Sequence, residues 1–180
     1  LLGQIVLEVA GMNLAEFAAR ELFQPLGMEH THFHNDHTRI VKYRASGYVP
    51  DPRDGYRISM TTLDMIGDGG IFTTIKDLKI WDDAFYNSTV LSKSFWEMMT
   101  RQGILNNGEQ IDYASGLFIG NYKGLKMIRH GGAFVGFRAE MLRFPEQHVT
   151  IAILANRGDA RPSSLANQVA DIILKDVFPA

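Results

Sequence analysis

The sequence predicts an α+β fold, with helices gathered in the first part of the chain and an antiparallel sheet plus a closing helix in the second. Three observations carry this. Apolar residues recur at helical spacing at the start, as in Leu1, Ile5 and Val9. After Asn106-Asn107-Gly108 the texture changes to short runs rich in Val, Ile, Phe and Tyr, separated by turn residues. Behind Pro162 the helical period returns.

Taken in order, the first helix runs to Gly11, and Asn13 sits three residues before Glu16, a capping spacing that opens a second helix over 14–23. Pro25-Leu26-Gly27 is expected to end it, because proline disfavours helical backbone in the residue before it. Residues 29–65 show no sustained period and read as a long irregular connection with short local elements. Gly67-Asp68-Gly69-Gly70 leads into Ile71-Phe72-Thr73. Thr74 with Asp77 then caps a helix whose buried stripe is Leu78, Trp81, Ala84 and Phe85. A short helix follows from Lys93 to Thr100. Strands are expected over 113–119, 125–129, 134–144 and 149–155, with Gly131-Gly132 as one of the turns between them. A last helix is expected to lay Leu165, Val169, Ile172, Ile173 and Val177 on the sheet.

Composition narrows the function classes. The 180 residues are 46% hydrophobic and 21% charged, a soluble globular profile, and are read as a single partial domain: 1–105 mainly helix and loop, 106–180 strands plus the final helix. The net charge of −2, with both signs interspersed, argues against a nucleic-acid partner. No apolar run has the roughly 20 residues of a membrane-crossing helix. With no Cys, disulfides and thiolate metal sites are excluded. The chain opens inside an apolar helical repeat with no initiator Met and no capping residue, which reads as the interior of a longer protein.

Several motifs then line up in order. Leu2-Gly3 in a helix, followed by Phe23-Gln24-Pro25-Leu26-Gly27-Met28-Glu29-His30-Thr31, resembles the F-x-P-L-G-M-x-x-T segment of the class C β-lactamase-like and penicillin-binding-protein-like serine hydrolases. Gly69-Gly70-Ile71-Phe72-Thr73-Thr74 with Asp77-Leu78 is similar to a second segment of that family. His130-Gly131-Gly132, then Gly136, a strand, Phe144-Pro145 and a strand ending at Asn156, resembles its third active-site motif and last two sheet strands.

The resemblance implies a partial β-lactamase/transpeptidase-like fold and hydrolysis through a serine acyl-enzyme, with no cofactor, no metal and an envelope or periplasmic location. It also implies a Ser-x-x-Lys motif and a Tyr-x-Asn motif. No Ser here is followed three residues on by Lys, and no Tyr two residues on by Asn. The resemblance puts both motifs ahead of Leu2-Gly3, so the fragment itself is expected to be inactive.

What the resemblance leaves to this chain is the opposite wall of the site: His130, Gly131, Gly132 and Ala133, with the Ala133 N–H as one oxyanion donor. Glycine at 131 and 132 leaves the strand edge bare for a substrate. His130 stands where most β-lactamases have Lys, and imidazole carries no permanent charge, which favours an ester, amide or D-amino-acid peptide over a β-lactam carboxylate. The competing class is a non-catalytic penicillin-recognition or sensor-type binding domain.

Other residues suggest sites but have blander explanations. His30, His32, His34 and His37, with Asp36 nearby, raise a metal site, His32 and His34 sharing a face of an extended strand. The resembling scaffold has an ordinary loop there. Gly69 and Gly70 are read as a turn, Tyr113 as structural, and Trp81, Phe85 and Trp96 as core. Residues 149–155 are expected to form an exposed apolar edge, which predicts self-association into a homo-oligomer.

Overall fold

A computed structural model describes residues 1–87 and 90–179. In chain order the helices are α1 (Leu2–Ala10), α2 (Leu14–Ala18), α3 (Gln24–Leu26), α4 (Ile75–Asn87), α5 (Lys93–Met99) and α6 (Pro162–Ile173). The strands are β1 (His32–Phe33), β2 (Tyr48–Asp51), β3 (Gly55–Ile58), β4 (Ile71–Phe72), β5 (Phe118–Tyr122), β6 (Leu125–Phe134), β7 (Phe137–Phe144) and β8 (Val149–Ala155). They form two compact units, Leu1–Arg44 with Thr61–Ser92, and Ala45–Met60 with Lys93–Ala180.

In the first unit, Asn13 caps α2 as the spacing predicts: its side-chain oxygen accepts from the Glu16 N–H at 3.0 Å. The helix does not end at Phe23. It widens into a π-helical turn at Ala19–Phe23 and continues through α3, with Pro25 inside the last turn. The wider turn accommodates a proline that has no N–H to give and whose ring would press on a preceding carbonyl. Gly27, with φ of 78°, then closes the helix: its N–H donates to the Gln24 carbonyl and the Met28 N–H to that of Phe23. Phe23 and Met28 are buried together with Ala18, and Phe33, Ile80 and Trp81 pack against them. The apolar stripe of α1 is on the surface instead, with Leu2 76% and Val9 81% exposed.

In the second unit, residues read as irregular connection contain the hairpin β2–β3, with Asp51 opposite Gly55. The turn signal was present in Pro52-Arg53-Asp54-Gly55. The main sheet is antiparallel in the order β5-β6-β7-β8. β5 begins later than expected, at Phe118, after a turn in which Gly116 has positive φ. Gly131-Gly132 is not a turn. Both glycines lie inside β6, opposite Glu140 and Ala139 of β7. The chain reverses at Val135-Gly136, because the Gly136 position lies against the backbone of Gly47 and Tyr48, where an added Cβ would sit within 2.8 Å of three backbone atoms.

Helix α6 covers one face of this sheet, but not through the predicted residues. Ala166, Ala170 and Leu174 are buried against Leu125, Leu142, Phe144 and Ile151. Leu165, Val169, Ile172 and Ile173 are exposed. Small residues let the helix sit close over large strand side chains, so the helix contributes backbone proximity and the sheet contributes bulk. Burying each such Leu or Phe stabilises the unit by roughly 1.5–3 kcal/mol.

Candidate active site

The expected site residues lie in the second half of β6. β5 pairs only with Leu125–Arg129, so beyond Arg129 the strand keeps β7 as its one neighbour in the sheet. Two hairpins fix which way its peptide groups point. The β5–β6 loop is two residues, Lys123 and Gly124, both with positive φ, so Tyr122 and Leu125 close it as a hydrogen-bonded pair. Backbone polarity alternates along an antiparallel strand, so 127, 129, 131 and 133 face the same side as Leu125. The two-residue β6–β7 loop gives the same parity from the other end, because Phe134 pairs with Phe137. The N–H groups of Gly131 and Ala133 therefore point to the open edge, and those of His130 and Gly132 point to β7. Residues 130–134 are all exposed.

His130 is the reactive-type side chain on this edge. Its Nδ1 lies 2.7 Å from the Gly131 carbonyl, which only accepts, so Nδ1 carries a proton and donates. Its Nε2 lies 3.2 Å from the Tyr113 hydroxyl. The Tyr113 hydroxyl, both donor and acceptor, can partner Nε2 with or without a proton on it. Phe118 stacks on the imidazole with ring centres 5.8 Å apart and meets Tyr113 edge-on at 4.7 Å. Sequence reasoning set Tyr113 aside. The signal that could have found it, its bridge to Phe118 at the start of β5, appears only in the fold.

The glycines and histidines of the first unit do other work. Gly70 has positive φ, as a turn requires, and its carbonyl accepts from the His34 N–H at 2.7 Å. Asp77 does more than cap α4. Its carboxylate is buried and accepts from the His30 N–H at 2.8 Å and the Thr31 hydroxyl at 2.6 Å, tying the segment after α3 to α4. His32 and His34 share a face, as alternation predicts, with Nε2 and Nδ1 3.3 Å apart. His34 stacks on Phe72 at 4.2 Å. Burial holds both imidazoles below their ordinary pKa, with Arg39 adding to this at His32 and Arg44 at His34. His37 pairs with Asp64 instead, at 2.9 Å. Among the described residues no group of three or more His, Asp or Glu is arranged to hold a metal ion.

The chain as a whole is similar to known proteins in sequence and in fold. A family model described as Beta-lactamase matches residues 1–174. The chain belongs to the beta-lactamase family. This family chain is 31% identical, over 172 residues, to penicillin-binding protein 4* of Bacillus subtilis, covering 87% of the chain and 38% of that protein. It is 23% identical to a D-aminopeptidase of Gluconobacter oxydans, covering 94% of the chain and 32% of that protein. Among solved structures, the octameric penicillin-binding protein homologue from Pyrococcus abyssi superposes with a TM-score of 0.85 at 25% identity, covering 97% of the chain and 40% of the homologue. A D-amino acid amidase from Ochrobactrum anthropi shares the fold, with a TM-score of 0.69 at 21% identity, over 97% of the chain and 54% of the amidase. The beta-lactamase-family chain spans about a third of the length of the curated relatives it matches. The α+β architecture is that of the penicillin-binding protein homologues, and the family is one of hydrolases. No helix among the described residues is long and apolar enough to cross a membrane.

Proposed function

We propose that this chain supplies one wall of a serine hydrolase site that acts on an amide, ester or D-amino-acid peptide bond through an acyl-enzyme. The observation that carries this is the open half of β6. There the Ala133 N–H points to the free edge, where it is available as an oxyanion donor, with nothing larger than hydrogen at 131 and 132, beside an imidazole in contact with Tyr113. A donor fixed in a strand costs no reorganisation when negative charge develops on a substrate carbonyl oxygen. An imidazole at His130, unlike a lysine, is no permanent cation for a β-lactam carboxylate, which favours the neutral amide and ester groups. The nucleophile and base belong to a segment outside these 180 residues, since neither Ser-x-x-Lys nor Tyr-x-Asn occurs within them.

Hydrolysis of D-alanine p-nitroanilide, p-nitrophenyl acetate and nitrocefin tests this on two polypeptides: the 180-residue chain, and the same chain joined to the coding sequence ahead of Leu1 in its gene. The first is expected to show no turnover above an albumin control. The second should hydrolyse the anilide and the ester, and lose this when the Ser of Ser-x-x-Lys is replaced by Ala. Turnover by the 180-residue chain alone overturns the reading, as does an upstream sequence without the two motifs.

The same reading extends to assembly through the edge 149–155. Among the described residues β8 pairs in the sheet with β7 alone; its side chains are less exposed than expected, with Leu154 exposed at 43%, Ile151 buried and the other five half-buried, and its free backbone edge is the place for a second strand to pair. Light scattering should find a dimer or larger species at tens of micromolar, and a stable monomer would contradict it.

A further inference from the structure

Beneath the open half of β6, on the face covered by α6, lies a buried charge that the proposed chemistry does not use. Glu140 of β7 is 2% exposed. Its Oε1 is 3.0 Å from Arg129 Nε, and its Oε2 accepts from Arg129 Nη2 at 3.0 Å and from the Ser163 hydroxyl at 2.5 Å. Arg129 Nη2 also donates to the Ser163 oxygen at 3.0 Å. The three residues join β6, β7 and the first turn of α6, whose N-terminal end favours a carboxylate.

Two features make this more than a buried ion pair. Buried pairs are weak contributors to stability, because desolvation offsets the attraction, and apolar residues of similar volume do as well or better. The position of the carboxylate is also specific. Gly131 pairs with Glu140 across the strands, and a Cβ added at Gly131 would lie 3.0 Å from Oε2 and 3.3 Å from the Ala139 carbonyl. The carboxylate thus fills the space on Gly131 where a side chain would stand. His130 points to the opposite face of the sheet, since side chains alternate. A strand half bonded on one side only needs another constraint if its free N–H groups are to keep one direction.

We propose that Glu140 is a positioning residue: clamped by Arg129 and Ser163, its carboxylate fixes the course of the Gly131–Ala133 backbone and so the aim of the Ala133 N–H. This rests on the reading of that N–H as an oxyanion donor, but its test does not need turnover. In the 180-residue chain, the amide resonances of Gly131, Gly132 and Ala133 and the exchange rates of the His130 and Gly132 amides are followed by NMR. Glu140→Gln, which keeps the shape and removes the charge, should move all three resonances and speed exchange at His130 and Gly132 about tenfold. Leu174→Ala, which opens the same core at the far end of α6, should lower the melting temperature and leave those resonances in place. Arg129→Met combined with Glu140→Gln removes both charges, and should recover stability without restoring the resonances. Should Glu140→Gln fail to fold, Ser163→Ala, which keeps both charges, should move the same peaks in the same direction by less. Unmoved peaks in Glu140→Gln or Ser163→Ala, equal movement in Leu174→Ala, or full restoration in the double variant each overturn the proposal. Absence of hydrolysis by the longer polypeptide would sink the functional reading and leave this result standing.

Discussion

Within β6, Leu125–Arg129 have strands on both sides, while His130–Phe134 have a strand on one side only. The first half holds the buried Leu125 and Ile128, and the second has no buried residue. The buried apolar side chains thus lie where strands flank both edges, while the half with one flanking strand holds two glycines, an alanine, an imidazole and the half-exposed Phe134. The difference teaches that one strand can act as a core element and as an open edge, with the division set by where the neighbouring strand begins.

The largest expected contrast comes from trimming side chains in the two halves. Ile128→Ala removes a residue that is 3% exposed and should cost about 3 kcal/mol in urea unfolding, whereas Phe134→Ala, at 50% exposed, should cost under about 1 kcal/mol. Equal costs would mean that the second half is covered in solution. The next contrast lies within the glycine pair. Gly131→Ala meets Glu140 Oε2 at 3.0 Å and should cost about 1 kcal/mol, while Gly132→Ala meets only the Ala139 Cβ at an ordinary 3.6 Å and should be neutral to within about 0.5 kcal/mol. If the order reversed, the carboxylate would not lie under Gly131.

A smaller effect sharpens the contrast between covered and open groups from another part of the chain. His32 and His34 have pKa values below the ordinary imidazole value because of burial, so the folded state binds fewer protons than the unfolded chain. Their contribution to stability is present above the unfolded value of about 6.5 and is lost as pH falls below it. The melting temperature should therefore drop between pH 7.5 and 5.5, and His34→Phe, which keeps a ring against Phe72, should flatten that drop. An unchanged slope would place these rings in solvent.

The legible parts of the fold were those written in local sequence. Asn13 at three residues from Glu16, Thr74 before α4 and Pro162 at the start of α6 each announce a helix through a few neighbouring residues. Patterns whose meaning depends on distant partners were misread. Gly131-Gly132 looks like a turn until Glu140 and the Gly47-Tyr48 backbone are known, since these decide where glycine sits in a strand and where the chain must reverse. The large aliphatics of α6 look like its buried face until Ala166 and Ala170 are seen against Leu142 and Phe144. For the site, the resemblance marks His130 through Ala133, while the fold brings Tyr113 to His130 from 17 residues away and Glu140 to Gly131 from nine, distances no short motif spans.

The central claim is that the second half of β6 presents its odd-numbered N–H groups to an open edge. Residue-resolved amide exchange along 125–134 tests it directly. The account predicts slow exchange at Met127 and Arg129, which face β5, slow exchange at His130 and Gly132, which face β7, and fast exchange at Gly131 and Ala133. Protection of Ala133 equal to that of Met127 would contradict it, because some other group would then already occupy the N–H proposed for the substrate.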